Sequence, residues 1–175
     1  KRMMTPAAKF WVCKRGVELT GETMEVLGGN GYIQDGIVGR LFLEAPVNSI
    51  WEGSGNVMCL DVLRALAREP EAAQALLAEL APTALREPLL KALLQSLTAM
   101  VTTAPEELEA LGRIFVQQLV LLAQACLLRQ HAPAYVADAF IATRLGAAGQ
   151  GGRVAGAIDV RGLDVQAILQ RALAR

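Results

Sequence analysis

The sequence predicts an all-α protein, a helical bundle with extra helices towards the C-terminus. Hydrophobic residues make up 53% of the 175 residues, whereas aromatic residues make up only 5%. Leu and Ala supply much of the hydrophobic fraction, and both lose little conformational freedom in a helix. Apolar residues also recur every three or four positions over long stretches, which is the spacing of one helix face.

The first predicted helix runs from Pro6 to Leu27, and a glycine pair ends it. Its apolar face carries Ala8, Trp11, Val12, Leu19, Thr23 and Val26. We predict that Gly28–Tyr32 cannot stay helical and forms a tight turn with exposed backbone, because clustered glycines favour positive φ. Residues 33–52 show no sustained period and contain Pro46, so we predict a long connecting loop there.

A second helix is predicted to begin after Ser54, whose hydroxyl suits the N-cap position, and to run to about Arg68. Pro70 follows that helix and supports its end. Two shorter helices are predicted over residues 71–80 and 84–101, each of which opens near a proline.

A capping box marks the start of the next predicted helix. Thr103 and Glu106 stand three positions apart, as the two side chains of such a box require. The buried stripe of this helix is expected at Leu108, Leu111, Phe115, Leu119, Leu122 and Cys126. Further helices are predicted over Ala134–Leu145 and from Val165, with a mobile glycine-rich loop over residues 146–156 between them.

Charge, cysteine content and hydropathy narrow the class of protein. Seventeen basic and seventeen acidic residues cancel, so the whole chain has no net electrostatic attraction to nucleic acid or to an anionic membrane. The three cysteines lie in apolar helical patterns, which predicts reduced, buried thiols in a cytoplasmic protein. No apolar run reaches the roughly 18 residues of a membrane span. His131 has no second ligand at a suitable spacing, so no metal site is predicted.

The chemistry-bearing stretch covers residues 25–56. Its first motif reads EVLGGNGY from Glu25, and its second reads IWEGS from Ile50. A glycine pair at a helix end lets backbone N–H groups approach a phosphate without side-chain obstruction, although a plain helix cap would also explain it. Glu52 lies between an apolar pair and a glycine just before a helix start. This setting suits proton transfer, and a simple interaction with the helix dipole is the alternative.

With the PVNSIWEGSGNVMCLDVLR run that begins at Pro46, these motifs resemble the C-terminal domain of acyl-CoA dehydrogenases. The resemblance extends to one branch, the AidB-like proteins of the bacterial alkylation response, and is dense over residues 5–66. It implies a C-terminal fragment of a flavin-dependent oxidoreductase that performs α,β-dehydrogenation of an acyl-CoA thioester. It also implies bound FAD and a homo-oligomer, a tetramer in the full-length protein.

The resemblance implies individual roles as well. Glu52 is the catalytic base that removes the α-proton while the β-hydrogen leaves as hydride to the flavin, and Gly53 meets the substrate. Contacts with FAD are implied for Glu25, Gly28, Gly29, Ser54 and Asn56. The chain departs from the common family pattern at Glu25, Trp51 and Ser54, where most members carry Gln, Tyr and Thr. It also departs at Leu43-Glu44, which replaces an Arg-Asp pair.

Two other functions stay open. Members of the AidB-like branch bind double-stranded DNA, and the resemblance implies Arg64 and Arg144 as phosphate contacts; ordinary solvated surface charges are the alternative. The third possibility is a structural assembly module. We expect residues 1–68 to be the helical-bundle portion with the FAD and acyl-CoA motifs, and residues 69–175 to be a helical extension packed on it. The chain enters a helix without a cap or an initiator Met, which predicts a piece of a larger protein.

Overall fold

All regular secondary structure of the computed structural model is helical within the described residues, 1–146 and 156–173, and the all-α prediction is confirmed. The helices are α1 (Met4–Val26), α2 (Gly29–Tyr32), α3 (Ile37–Asn48), α4 (Gly55–Arg68), α5 (Pro70–Ala84), α6 (Pro88–Val101), α7 (Pro105–Ala110), α8 (Gly112–His131), α9 (Ala134–Arg144) and α10 (Val165–Ala172). No helix among them is long and apolar enough to cross a membrane.

The chain divides into two compact units. The first comprises Lys1–Ala73 and Ala104–Val120, and the second comprises Gln74–Thr103 and Leu121–Arg175. Both sequence motifs therefore lie in the first unit, on and between α1, α3 and α4. The division expected at residue 68 stays a prediction.

In the first unit, α1 packs against both α3 and α4, and α7 packs against α4. The sequence explains this arrangement, because apolar side chains line one face of α4 and that face is almost completely buried against the neighbouring helices. Those buried positions are Cys59, Val62, Ala65 and Leu66. On α1, Phe10 is buried, and the guanidinium of Arg113 from α8 lies 5.4 Å from the centre of its ring. The first unit thus has a core of its own.

The loop predicted over residues 33–52 is wrong, because α3 occupies most of it. Pro46 stands in the last turn of α3, so its missing N–H removes one bond near an end that comes two residues later. Gly39 lets α3 lie close to the preceding chain, since a Cβ there would meet the carbonyl oxygens of residues 31–33 at 3.0–3.3 Å.

Leu27 and Gly28 separate α1 from α2, and the direction of the chain changes at Gly28. Its backbone has φ 58° and ψ −143°, a combination that is essentially reserved for glycine. The next four residues form the single helical turn α2 and contain the buried Gly31. The prediction of a wholly non-helical turn over Gly28–Tyr32 is therefore wrong, since one glycine is enough to redirect the chain.

Four other boundaries differ from the prediction. Helix α5 continues past residue 80 through Pro82, and α6 begins only at Pro88. The long helix expected after residue 103 is divided at Leu111 into α7 and α8. The predicted capping box is absent, because the Thr103 hydroxyl donates back to the Ala99 carbonyl and Ala104 takes the N-cap position.

Residues 147–155, the body of the predicted glycine-rich loop, lie outside the described residues.

The predictions for α1, α4, α9 and α10 agree with the structure to within two residues at each end that was specified. At the start of α10, the Asp164 carboxylate caps the helix by accepting from the Ala167 N–H at 3.0 Å. All three cysteines are free thiols. Cys59 and Cys126 are buried as predicted, whereas Cys13 is half-buried. Burial raises the pKa of the Cys126 thiol to about 11, because the interior disfavours the thiolate.

Candidate active site

A tight turn joins α3 to α4 and carries Glu52. The N–H groups of Ile50 and Trp51 both donate to the Val47 carbonyl, at 2.9 and 3.0 Å, which finishes α3. Glu52 then adopts φ 53°, and it is the one residue other than glycine with a positive φ in the described chain. A non-glycine residue in this left-handed region costs about 1–3 kcal/mol. Such a conformation persists only where neighbouring groups impose it.

Lys9 is the group that holds this turn. Its ammonium donates to the carbonyl oxygens of Trp51 and Gly53, each at 2.5 Å. The two acceptors stand on either side of Glu52, so a single cation fixes the peptide group that precedes Glu52 and the one that follows Gly53. Charge-assisted hydrogen bonds of this kind are stronger than neutral ones. The Glu52 side chain is left exposed at the surface.

Glu52 stands between two open clefts of the first unit. One has a volume of about 620 Å³ and is lined by Lys1, Arg2, Thr5, Pro6, Lys9, Glu52, Met58 and Asp61. The other has a volume of about 520 Å³ and is lined by Lys9, Val12, Cys13, Gly16, Thr20, Leu41, Glu44, Ala45, Asn48, Trp51 and Glu52. Lys9 and Glu52 line both clefts. A carboxylate there can reach a ligand bound on either side.

The first cleft also contains an ion pair between the start of α1 and the middle of α4. The Arg2 guanidinium donates twice to the Asp61 carboxylate, at 2.8 and 2.9 Å. These hydrogen bonds and the positive charge of Arg2 hold the pKa of the Asp61 carboxyl below its usual value, although partial burial acts in the opposite direction. The same carboxylate raises the pKa of Arg2. Among the residues that line this cleft, Asp61 lies farthest along α4 from the turn.

The start of α4 contains the other predicted site residues of the second motif. Gly53 has φ 113°, a conformation in which an L side chain is strained, and a Cβ on it would also displace the end of the Met58 side chain, whose Cε atom would lie 2.1 Å away. Ser54 is the N-cap residue of α4, as predicted, but its hydroxyl makes no capping bond. Asn56 is exposed in the first turn. The structure thus brings Glu52, Gly53, Ser54 and Asn56 together.

The first motif lies elsewhere in the unit. Glu25, Gly28 and Gly29 are exposed at the far end of α1. Glu25 follows Lys9 by sixteen residues on that helix, which corresponds to about 24 Å at 1.5 Å per residue. Gly29 has open space where a Cβ would stand, so nothing within the described chain explains its lack of a side chain. One chain therefore does not close both motifs around one cavity.

The two arginines predicted to contact DNA belong to different units. Arg64 is exposed on α4 of the first unit, where its charge contributes to the lowered pKa of Asp61. Arg144 is exposed in the last turn of α9, in the second unit. No group of three or more His, Cys, Asp or Glu side chains in the described residues could hold a metal ion.

Sequence reasoning missed the role of Lys9. Its hydrogen-bond partners lie 42 and 44 residues later in the chain, so no local spacing connects them. In the sequence, Lys9 stood out only as one of the residues 5–66 over which the family resemblance is dense. The same holds for the Arg2–Asp61 pair, whose members are 59 residues apart.

The geometry of α1–α4 coincides with a match to a known class of protein. Residues 1–67 match the family model described as the acyl-CoA dehydrogenase C-terminal domain. That stretch contains both motifs and the turn that carries Glu52. The resemblance predicted from the sequence is confirmed over these residues.

Individual relatives match the same part of the chain. AidB of Escherichia coli (strain K12) is 62% identical over 68 residues, which are 39% of this chain and 13% of that protein. Acyl-CoA dehydrogenase family member 11 of Caenorhabditis elegans is 43% identical over 63 residues, 36% of this chain and 10% of that protein. Cyclohexane-1-carbonyl-CoA dehydrogenase of Syntrophus aciditrophicus (strain SB) is 34% identical over 62 residues, 35% of this chain and 16% of that protein. The chain thus spans less than a fifth of each of these relatives.

Similarity to a solved structure extends further along the chain. The structure of Bd2924 in its apo form superposes with a TM-score of 0.66 at 29% sequence identity. The superposition covers 75% of this chain and 25% of that one. A likeness of this extent includes helices beyond residue 67.

Proposed function

We propose that this chain is the C-terminal part of a flavin-dependent acyl-CoA dehydrogenase-like oxidoreductase and that Glu52 is its catalytic base. The observation that carries the proposal is the exposed Glu52 carboxylate, held in a left-handed conformation between two clefts. Sparsely populated backbone conformations cluster at active sites, where they orient a reacting group. Two of the matched relatives are named as dehydrogenases of a cyclic acyl-CoA thioester.

Glu52 would act on the carbon next to the thioester carbonyl. That C–H bond is weakly acidic, so its proton moves only if the carboxylate lies within reach and the resulting charge on the carbonyl oxygen is stabilised. No backbone carbonyl in the described residues accepts the N–H of Glu52 itself. This N–H would donate to the thioester oxygen. The exposed indole of Trp51 would exclude water once a ligand lies in the cleft.

The glycine turn suits one part of FAD. Gly28 has a backbone conformation that only glycine tolerates, and Gly29 leaves open space beside an exposed backbone. Both features allow a phosphate-bearing group to approach the chain closely. When bound, FAD would supply the acceptor for the hydride from the β-carbon of the substrate. In this proposal Glu25, Ser54 and Asn56 would make the other contacts with FAD.

The separation of the motifs supports a homo-oligomer; the family resemblance is what implies a tetramer in the full-length protein. Because Gly28 lies about 24 Å or more from Lys9 along α1, its bound group would belong to a site completed by another subunit. Apolar side chains are exposed around the glycine turn, at Val26, Leu27, Tyr32 and Ile33. An exposed apolar patch of this kind indicates a surface that another chain covers.

Replacing Glu52 in the full-length protein tests the enzymatic function. Glu52→Gln keeps the size of the side chain but cannot take a proton. We expect the rate of flavin bleaching by a short branched acyl-CoA to fall by about 10²–10⁴-fold, which is the usual contribution of a general base. Glu109→Gln, at an exposed position on α7, is the matched control and should bleach normally. Normal bleaching in the Glu52 variant would disprove the assignment.

A second candidate function is binding of double-stranded DNA. Arg64 and Arg68 are both exposed one turn apart on α4, and two cations on one helix face suit successive phosphates. Removing one arginine that binds a phosphate should reduce the slope of log affinity against log salt by about 0.9. We would compare Arg64→Gln and Arg144→Gln with the exposed control Arg86→Gln. Unchanged slopes in both test variants would exclude these residues from a DNA interface.

A further inference from the structure

Lys9 is not positioned like an ordinary surface lysine, whose ammonium lies in solvent. It is half-buried on α1 and lines both clefts that flank Glu52. Its donors point at two backbone carbonyl oxygens, those of Trp51 and Gly53, and not at a carboxylate. These hydrogen bonds therefore depend on the backbone conformation of the turn and not on the side chains of Trp51 and Gly53.

The geometry of the turn explains what these bonds do. Between the two acceptor carbonyls lie the rotatable backbone bonds of Glu52 and Gly53, and both residues have positive φ, at 53° and 113°. Two carbonyl oxygens that face one point repel each other unless a cation stands there. The Lys9 charge thus selects the left-handed pair over the extended conformations that an L-residue at position 52 prefers.

The base of the Lys9 side chain is itself fixed. Its neighbour Phe10 is buried, and a Cβ on the buried Gly55 would lie 3.5 Å from the Phe10 ring. The first residue of α4 therefore lies directly against α1. This close approach brings the turn within reach of the ammonium.

We propose that Lys9 is the positioning residue for Glu52, setting the direction of its carboxylate through the two backbone carbonyls. This inference rests on the proposed function, in which Glu52 is the base. Lys9 does not exchange a proton with the substrate. Its effect on the reaction passes through the backbone of the turn and depends on the presence of the carboxylate.

The test uses the full-length flavoprotein and anaerobic stopped-flow bleaching by a short branched acyl-CoA. Lys9→Met removes the charge and the donors but keeps an unbranched side chain. We expect the bleaching rate at saturating acyl-CoA to fall about 100-fold, since misplacement by about 1 Å has that effect. The concentration for half-saturation should change less than about threefold, because the clefts remain. Lys91→Met, at an exposed position on α6, is the control.

A double variant separates positioning from general damage. If Lys9 acts through Glu52, Lys9→Met should slow the Glu52→Gln protein by less than about twofold further. A further large loss would overturn the proposal, and so would a Lys9→Met protein that bleaches within about threefold of the wild-type rate. If Glu52→Gln itself bleaches normally, the proposed function fails instead.

A milder variant decides the matter if Lys9→Met fails to bind flavin. Lys9→Arg keeps the positive charge and enough donors for both carbonyls, although its planar group is less compact. We expect its bleaching rate to lie within about tenfold of wild type. A Lys9→Arg protein that retains flavin but reacts as slowly as Glu52→Gln would overturn the inference.

Discussion

The two glycine-containing turns of the first unit are held in opposite ways. The turn at Glu52 is held from within the chain, by the Lys9 ammonium on two carbonyls and by Met58 beneath Gly53. The turn at Gly28 is exposed, and neither Gly28 nor Gly29 has another group within 4 Å of where a Cβ would stand. Its shape is set by the positive φ of Gly28 and by two local backbone hydrogen bonds, from the Gly28 N–H to the Glu25 carbonyl and from the Gly31 N–H to the Gly28 carbonyl. The fold thus explains Gly53 of the second motif and Gly28 and Gly31 of the first, whereas Gly29 needs an explanation outside the chain.

The comparison predicts the largest effect on folding at Gly53. Gly53→Ala would place a side chain at φ 113° and force Met58 to move, at a combined cost of about 3 kcal/mol. Urea unfolding followed by circular dichroism would measure the loss. Gly16→Ala, where a Cβ meets nothing within 4 Å, should instead be neutral or stabilising. Equal stabilities for the two variants would contradict the internal role of Gly53.

Gly28 should show a somewhat smaller effect. Gly28→Ala would force an L-residue into the φ and ψ that end α1, with a cost of about 2 kcal/mol and no steric term. The same unfolding measurement applies. A variant as stable as wild type would show that the chain can turn another way after α1, and the contrast between the two turns would then disappear.

Gly29 distinguishes stability from binding. Gly29→Ala should leave the free energy of unfolding of flavin-free protein unchanged or raise it by up to about 1 kcal/mol, because the residue is helical and unobstructed. Its affinity for FAD should nevertheless fall about tenfold, or ~1.4 kcal/mol. A fluorescence titration with FAD measures this. Unchanged affinity would remove the external explanation for the first glycine pair.

The smallest effect concerns pH and the Arg2–Asp61 pair beside the second turn. Because Arg2 holds the pKa of the Asp61 carboxyl below its usual value, the pair stabilises the folded chain at neutral pH. That stabilisation is lost as the pH falls through the lowered pKa. Asp61→Asn should therefore flatten the acid side of the plot of thermal midpoint against pH. Asp35→Asn, at an exposed position, serves as the control, and identical curves for the two variants would refute the linkage.

Local signals predicted much of the fold. Helices α1, α4, α9 and α10 follow from apolar spacing and caps, which act over a few residues. Helix α3 was missed because no sustained apolar period was recognised over residues 33–52 and because Pro46 was given more weight than it has in a last turn. The break at Leu111 was missed because the apolar stripe continues through it, from Leu108 to Phe115.

The candidate site was predictable only in part. The family resemblance singled out Glu52 and the glycines, but it could not show that about 24 Å of α1 separates them. The hydrogen bonds from Lys9 to the turn join residues that lie more than forty positions apart in the sequence. Contacts of that range arise from packing, for which a single sequence carries no spacing rule.

The burial of Cys126 and Cys59 makes selective labelling of the third cysteine possible. Burial raises the pKa of the Cys126 thiol to about 11, so very little of it is ionised at neutral pH, and only the thiolate reacts. Cys59 is buried and its pKa is also raised, so a maleimide dye added to the folded protein should attach first at Cys13. Cys13 lines the cleft that also contains Trp51 and Glu52. The chain therefore carries a natural attachment point for a fluorescent reporter beside its candidate base.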